Sequence, residues 1–280
     1  MRLLVTNDDG IEAPGILALV QALDAWVAAG TEADPRSAVV VAPSQNFSGA
    51  GAAVGDVTHM DDLAYARHHL EGVSHINCFG LEAAPALCTI VGTLGGFGPR
   101  PDVVVSGINA GVNVGRSVLH SGTVGATLTA SQLGLKGLAI SMQYIGADTP
   151  YATAAELAVD LLEIFPDAPE RTVLNLNVPA LARHALAGVR HGRISTAGII
   201  KSAAWGDAPT EPTEDRGTIP LRLGSAVPEL GDTSDEEADD DGALVAAGFA
   251  SITPLRSVRE ATDEGVDELV RTALGVLRRN

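Results

Sequence analysis

The sequence predicts an α/β protein of three layers, doubly wound, with a mostly parallel sheet between two layers of helices. Three observations predict it. Short apolar or β-branched runs recur through the first 180 residues. Stretches of helical length separate them. The runs are apolar throughout rather than alternating, as strands covered on both faces are. In such sheets ligands bind beyond the carboxyl ends of the strands, so chemistry is expected in the residues that follow each run.

The elements follow in order. "RLLVT" (2–6) is the first strand, and "ILALVQALDAWVAAG" (16–30) the helix after it. "AVVVA" (38–42), "DVVVS" (102–106), "LAISM" (138–142) and "VLNLNV" (173–178) are further strands, with helices near 84–95, 123–134 and 152–164. After Pro179 the rhythm changes, and residues 190–240 are rich in Gly, Pro, Thr and charge. "GTIPLRLGS" (217–225) reads as a strand of a hairpin arm, and "DTSDEEADDDG" (232–242) as a solvated acidic loop. "GFASITPL" (248–255) is a strand again, and an amphipathic helix over about 258–278 closes the chain. The division is a core over 1–185, an arm over 186–240, and a strand and helix over 241–280 that return to the core or to a partner subunit. No internal repeat is present.

A length of 280 residues with 46% apolar content suits one large domain, or one domain with an appendage. The formal net charge of −17 argues against a nucleic-acid polymer as partner. It also means that any anionic substrate must be met by local positive charge, from a metal, helix N-termini or a few basic side chains. No apolar run is long enough to span a bilayer. The chain enters its first strand without a basic or apolar leader, so the expected location is the cytoplasm, away from membranes. Cys78 and Cys88, in apolar surroundings, read as reduced, buried thiols.

Three stretches carry chemistry. The first strand runs into Asn7, Asp8, Asp9 and Gly10. Adjacent carboxylates at a strand end repel each other and lose solvent, unless a cation neutralises them; hard oxygen donors suit Mg²⁺, Mn²⁺ or Ca²⁺. The bland alternative, one Asp capping the helix near Ala13 and the other solvated, weighs about evenly on the dipeptide alone. The second stretch, "APSQNFSGAG" (42–51), offers Asn46 and Ser48 as oxygen ligands on the same sheet edge, although an ordinary polar loop would look the same. Gly49, Gly51 and Gly55 imitate a dinucleotide fingerprint, but the spacing is off by one and no helix opens directly from the strand.

The third stretch is "VVVSGINAGVNVGRSVLHSGTVGATLTA" (103–130). A strand ends at Ser106, Gly107, Gly111 and Gly115 interleave with Asn109 and Asn113, and "HSGT" (120–123) opens a helix of small residues. Free N–H groups at Ser121, Gly122 and Thr123, with the helix dipole behind them, form an anion cradle. Taken singly, the glycines could be turns, Ser121 and Thr123 caps, and His120 a satisfied histidine. Their density at one strand-to-helix crossing favours phosphate. No Gly-Lys-Ser/Thr follows, so this is not a P-loop.

In this order, "VTNDDGIEAPG", "VVAPSQNFSG", "PDVVVSGINAGVNVG", "HSGTVGAT" and "GFASITPL" resemble the SurE family, stationary-phase survival proteins that are metal-dependent nucleoside-monophosphate phosphatases. The resemblance covers most of 1–180 and returns at about 241–255. It implies a Rossmann-like core, one divalent ion per subunit held by Asp8, Asp9, Ser48 and Asn109, and phosphate contacts at Asn113, Ser121, Gly122 and Thr123. It also implies a C-terminal β-hairpin arm exchanged between subunits of a homodimer or homotetramer. Two departures stand out. Leu87 replaces the Asp of the family's "Thr-Pro-Ala-Asp-Cys" motif, here Ala84-Pro85-Ala86-Leu87-Cys88, and the preceding "GLEA" lacks the usual small turn.

The expected activity is hydrolysis of nucleoside 5′- or 3′-monophosphates. Asp8 and Asp9 are the catalytic pair, with Asp9 preferred as proton acceptor, and His120 is a candidate acid for the leaving alkoxide. Attack by water competes with a phospho-aspartate route through Asp8. The alternatives are a nucleotide-binding regulatory module without turnover, a phosphatase for another small phosphomonoester, and a dinucleotide-dependent oxidoreductase using the Gly49–Gly55 loop. A serine hydrolase is disfavoured because no Gly-x-Ser-x-Gly elbow occurs.

Overall fold

The structure, a computed structural model, describes residues 1–57, 62–195, 200–204, 222–225, 239–260 and 264–277. At its centre lies β1 (Arg2–Thr6). Leu3 and Val5 pack into the apolar core on one face of the sheet, and Leu4 into the core on the other. Burial on both faces is why this strand reads as an unbroken apolar run.

β1 pairs in parallel with β2 (Ser37–Pro43) on one side and with β5 (Val103–Ala110) on the other. Beyond β2 come β4 (Asn77–Leu81), parallel, and β3 (Tyr65–His68), an antiparallel edge. Beyond β5 come β6 (Lys136–Met142) and β7 (Val173–Val178), both parallel. Next is β11 (Phe249–Leu255), antiparallel to β7, and then β8 (Gly188–His191), parallel to β11. The nine-stranded order is β3-β4-β2-β1-β5-β6-β7-β11-β8. The chain leaves β1 toward β2 and comes back on the other side as β5. The connection reverses between those two strands, and the carboxyl-end crevice of an α/β sheet opens at such a reversal.

Helices cover both faces. α1 (Pro14–Ala28) and α4 (Tyr151–Leu162) pack together on one, and α2 (Pro85–Thr93) and α3 (Gly122–Gln132) on the other. Cys78 and Cys88 are free and buried, and burial raises their thiols to about 11 and about 12.

The sequence reading placed no strand at β3 or β4, whose "YARH" and "NCFGL" lack a long apolar run. β8 lies inside the segment expected to be arm and extends the main sheet. β9 (Ile200–Ala204) and β10 (Arg222–Ser225) form a separate antiparallel pair, with Arg222 opposite Ala204. The rest of "GTIPLRLGS", and residues 232–238 of the expected acidic loop, lie outside the described residues. The end of that acidic run is not solvated. Asp240 caps α5 (Asp241–Ala246), accepting the Gly242 N–H at 2.8 Å, and Asp240 and Asp241 are both buried. Acidic groups at a helix start satisfy N–H donors left open by the first turn, which is why these two are drawn inward. α6 spans Glu264–Leu277. Among the described residues, no helix is long and apolar enough to cross a membrane.

Candidate active site

The turn after β1 is tightly fastened. Asn7 is fully buried and donates its Nδ2 to the Gly10 carbonyl at 2.7 Å. The Phe47 N–H donates to the Asp8 carbonyl at 2.7 Å, and the Ile11 N–H to the Pro43 carbonyl at 2.8 Å. The β1 turn and the loop after β2 therefore hold each other in register. Neither carboxylate of the pair caps α1, because its cap residue is Ala13, which makes no side-chain cap, followed by Pro14 at the first position. The capping alternative for Asp8 and Asp9 is thereby removed.

Asp8 is 3% exposed and turns toward α3. The Thr123 hydroxyl donates a short hydrogen bond to its Oδ1. Gly122 lies against the other side of the same carboxylate. A Cβ there would stand 2.7 Å from Asp8 Cβ and 2.9 Å from Oδ2, so only glycine admits this approach. Asp9 is half-buried and faces the other two crossings. Its Oδ2 accepts the Ala110 N–H at 3.0 Å, and its Oδ1 is approached by Asn46 Nδ2 at 3.3 Å and Ser48 Oγ at 3.4 Å. Between them the two carboxylates tie the end of β1 to α3, to the end of β5 and to the loop after β2.

The electrostatics follow from this packing. Burial pushes the Asp8 carboxyl above its ordinary value, the Thr123 hydroxyl pulls it back down, and the Asp9 charge raises it again. Among the described residues, no three His, Cys, Asp or Glu side chains group closely enough to share a metal. A cation here would take two carboxylates and neutral oxygens, a set that suits a hard divalent ion. Ser48 is exposed, with its hydroxyl on the Asp9 side. Asn109 is half-buried and commits its Nδ2 to the Gly111 carbonyl at 2.6 Å, so the amide oxygen is the atom it could offer to a cation. The donor chemistry fits a divalent cation.

The expected phosphate residues divide into two groups. Ser121 caps α3, its Oγ accepting the Val124 N–H at 3.1 Å, and Gly122 and Thr123 form the first turn. Thr123 is fully buried, and its hydroxyl serves Asp8. Asn113 is held in a separate buried network. Its Nδ2 donates to Ser141 Oγ at 2.8 Å, its N–H donates to Asn177 Oδ1 at 2.7 Å, and its carbonyl accepts from Asn175 Nδ2 at 2.8 Å. The His120 side chain is exposed, and its carbonyl accepts the Gly51 N–H at 3.0 Å. A Cβ on Gly125 would fall 2.4 Å from the Gly51 carbonyl oxygen, so the loop carrying Ser48 rests directly on the start of α3. No helix starts at Gly49–Gly55, so that run is a turn that brings Ser48 home and not a dinucleotide fingerprint. Leu87 is buried in the apolar cluster with Leu81, Ala83 and Cys88.

Several groups near the site were not singled out by sequence reasoning. The Ala110 N–H is a backbone donor and carries no side-chain signal. Tyr144 and Tyr151 border a cleft of about 530 Å³ that also includes Asp9. Asp241 accepts the Gly115 N–H at 3.0 Å through either carboxylate oxygen, and so fastens the turn that follows Asn113.

The family model described as "Survival protein SurE" matches residues 3–200. A protein of Pseudomonas syringae pv. syringae named 5′-nucleotidase SurE is 36% identical over 265 residues, which covers 94% of this chain and 95% of that protein. One of Cronobacter sakazakii named 5′/3′-nucleotidase SurE is 35% identical over 257 residues, covering 91% of this chain and 90% of its own length. The crystal structure of the SurE protein from Aquifex aeolicus superposes with a TM-score of 0.73 at 25% identity, and covers 98% of this chain and 99% of that one.

Proposed function

This chain belongs to the SurE family, and we propose that it is a nucleotidase that hydrolyses nucleoside 5′- or 3′-monophosphates with one divalent cation per subunit. The names of its relatives support the reaction. The observation that carries the reading is the carboxylate pair itself. Asp8 is bonded to the first turn of α3, and Asp9 to the end of β5 and the loop after β2.

Asp8, Asp9, Ser48 and Asn109 would hold the cation, which when bound supplies Lewis-acid stabilisation at the phosphoryl group. The chain's own residues do the rest. The first turn of α3 turns its dipole and N–H groups toward the phosphoryl oxygens. Thr123 and Gly122 fix the Asp8 carboxylate in one orientation, whereas Asp9 borders the open cleft and is the group placed to accept a proton from the attacking water. Asn113, rigid in its network, orients the loop between β5 and α3. His120 is the candidate acid for the leaving alkoxide. The hairpin of β9 and β10 is the proposed contact in a homodimer or homotetramer.

Phosphate release from adenosine 5′- and 3′-monophosphates tests the reading, with Mn²⁺ or Mg²⁺ returned to protein stripped by EDTA. Release that needs the metal is expected. Silence with nucleotide binding retained would make the chain a binding module instead. Hydrolysis in ¹⁷O-water of a nucleoside phosphorothioate made chiral with ¹⁸O separates the two routes. Inversion at phosphorus indicates direct attack by water, and retention, the result of two successive displacements, a phospho-aspartate.

A further inference from the structure

Asp241 is a fully buried acid for which the reaction described above has no use. It opens α5 and accepts N–H groups from three separate segments. The Gly115 N–H reaches both carboxylate oxygens at 3.0 Å, the Gly242 N–H reaches Oδ1 at 2.9 Å, and the Ser195 N–H reaches Oδ1 at 3.3 Å. Gly242 belongs to α5 itself. Ser195 lies where the chain leaves β8 for the hairpin of β9 and β10. Gly115 begins a 3₁₀ turn, Gly115–His120, that leads straight into α3.

That turn delivers residues of the site. The His120 carbonyl, at its end, accepts the Gly51 N–H at 3.0 Å and so ties in the loop that carries Ser48. Immediately after it come Ser121, Gly122 and Thr123, and the Thr123 hydroxyl bonds Asp8. The start of the turn is fixed from two sides. Asp241 holds the Gly115 backbone at a φ of 58°, in the left-handed region that glycine adopts at little cost. The Ser117 hydroxyl donates to the Val114 carbonyl just before it. One helical turn beyond Asp241, Val245 packs against Val112 and Val114. α5 thus supports this stretch with a carboxylate and with an apolar side chain.

Burial raises the Asp241 carboxyl to about 6, so ionising it costs the fold stability. The ionised form is also the one that binds N–H groups most strongly. Stability therefore explains a charge here poorly, and placement of the turn explains it better. We infer that Asp241 is a positioning residue for phosphoryl transfer, which acts through Gly115 and the turn after it to set the start of α3 against Asp8. It stands apart from the groups that would hold the cation and the phosphate. The inference rests on the phosphatase reading above and adds to it a residue on another element.

The test uses the full chain with saturating Mn²⁺ and adenosine 5′-monophosphate. Asp241→Asn keeps the size of the side chain but puts an amide group among N–H donors. Its kcat should fall about 10- to 100-fold, the scale of a slight misplacement of reacting groups, with KM within about twofold of the parent. Ser117→Ala loosens the same turn from within and should lower kcat at least threefold; as the smaller change, it keeps the test open if Asp241→Asn does not fold. Leu162→Ala, in the core on the opposite face of the sheet, should lower the melting temperature and leave kcat unchanged. Parent-like kcat in Asp241→Asn or Ser117→Ala, or an equal fall in Leu162→Ala, would overturn the inference. Hydrogen exchange reads placement apart from turnover. The amides of 115–123 should exchange at least tenfold faster in Asp241→Asn than in the parent, with those of β1 unchanged. A parent that released no phosphate would remove the phosphatase reading, whereas unchanged exchange over 115–123 would remove the positioning role itself.

Discussion

The Thr123 hydroxyl and the Asp8 carboxylate, 115 positions apart in sequence, share a short buried hydrogen bond. Through it the helix that follows β5 holds the acidic turn that follows β1. Sequence reasoning gave the two residues separate tasks, metal for one and phosphate for the other. The structure makes the second a partner of the first.

Thr123→Val should therefore act through Asp8. It removes a donor from a buried carboxylate, a loss worth about 1.5–3 kcal/mol. The expected result is a kcat lower by about 10- to 100-fold and a higher Mn²⁺ requirement, with Thr123→Ser restoring most of both. Steady-state rates across a Mn²⁺ titration check this. A rise in KM alone would return Thr123 to a phosphate role.

Gly122→Ala tests the close approach on the other side of Asp8. The added methyl would stand 2.9 Å from Oδ2, so either the helix or the carboxylate must shift. Crowding of this kind costs about 1–3 kcal/mol. Activity should fall at least tenfold with only a modest loss of thermal stability, read from melting curves and phosphate release on the same preparation.

Asp241 predicts a pH effect. Burial raises its carboxyl from 3.8 to about 6, and the Gly115, Ser195 and Gly242 N–H groups oppose that rise only in part. A carboxyl with a raised folded value binds more protons folded than unfolded between those limits. Its contribution therefore declines as pH climbs from about 4 to about 6, by on the order of 3 kcal/mol. Urea unfolding of the parent and of Asp241→Asn across pH 4–7 should show the parent losing more stability over that window. Parallel curves would contradict it.

The thiols give a simpler check. Cys78 and Cys88 are buried with raised thiols, so an Ellman-type reagent should leave both untouched in the native protein and titrate two after unfolding.

What could be read without coordinates follows from where each signal lies. β1, β2, β5, β6 and β7 are apolar runs, and buried strands leave that mark in local sequence. Asp8 and Asp9 were visible because two adjacent acids at the end of such a run are costly. β3 and β4 were not, since a short edge strand and its neighbour lack a continuous run. Tyr144 was invisible for a related reason: a lone aromatic in a loop has no period, and its meaning comes from Asp9 across the cleft. Asp241 was hidden by company, as the tail of an acidic run reads as solvated surface until the fold buries it at 0% exposure. Asn113 was singled out as a phosphate contact, but its network was not legible, because its partners Ser141, Asn175 and Asn177 come from two other strands.

The central claim is that the two aspartates after β1 together hold one divalent ion. Calorimetric titration of Mn²⁺ into EDTA-stripped protein, compared with the Asp8→Asn/Asp9→Asn double variant, tests it most directly. The account predicts one ion bound per chain in the parent and none in the variant, with the variant still folded. Equal binding by both proteins would contradict it.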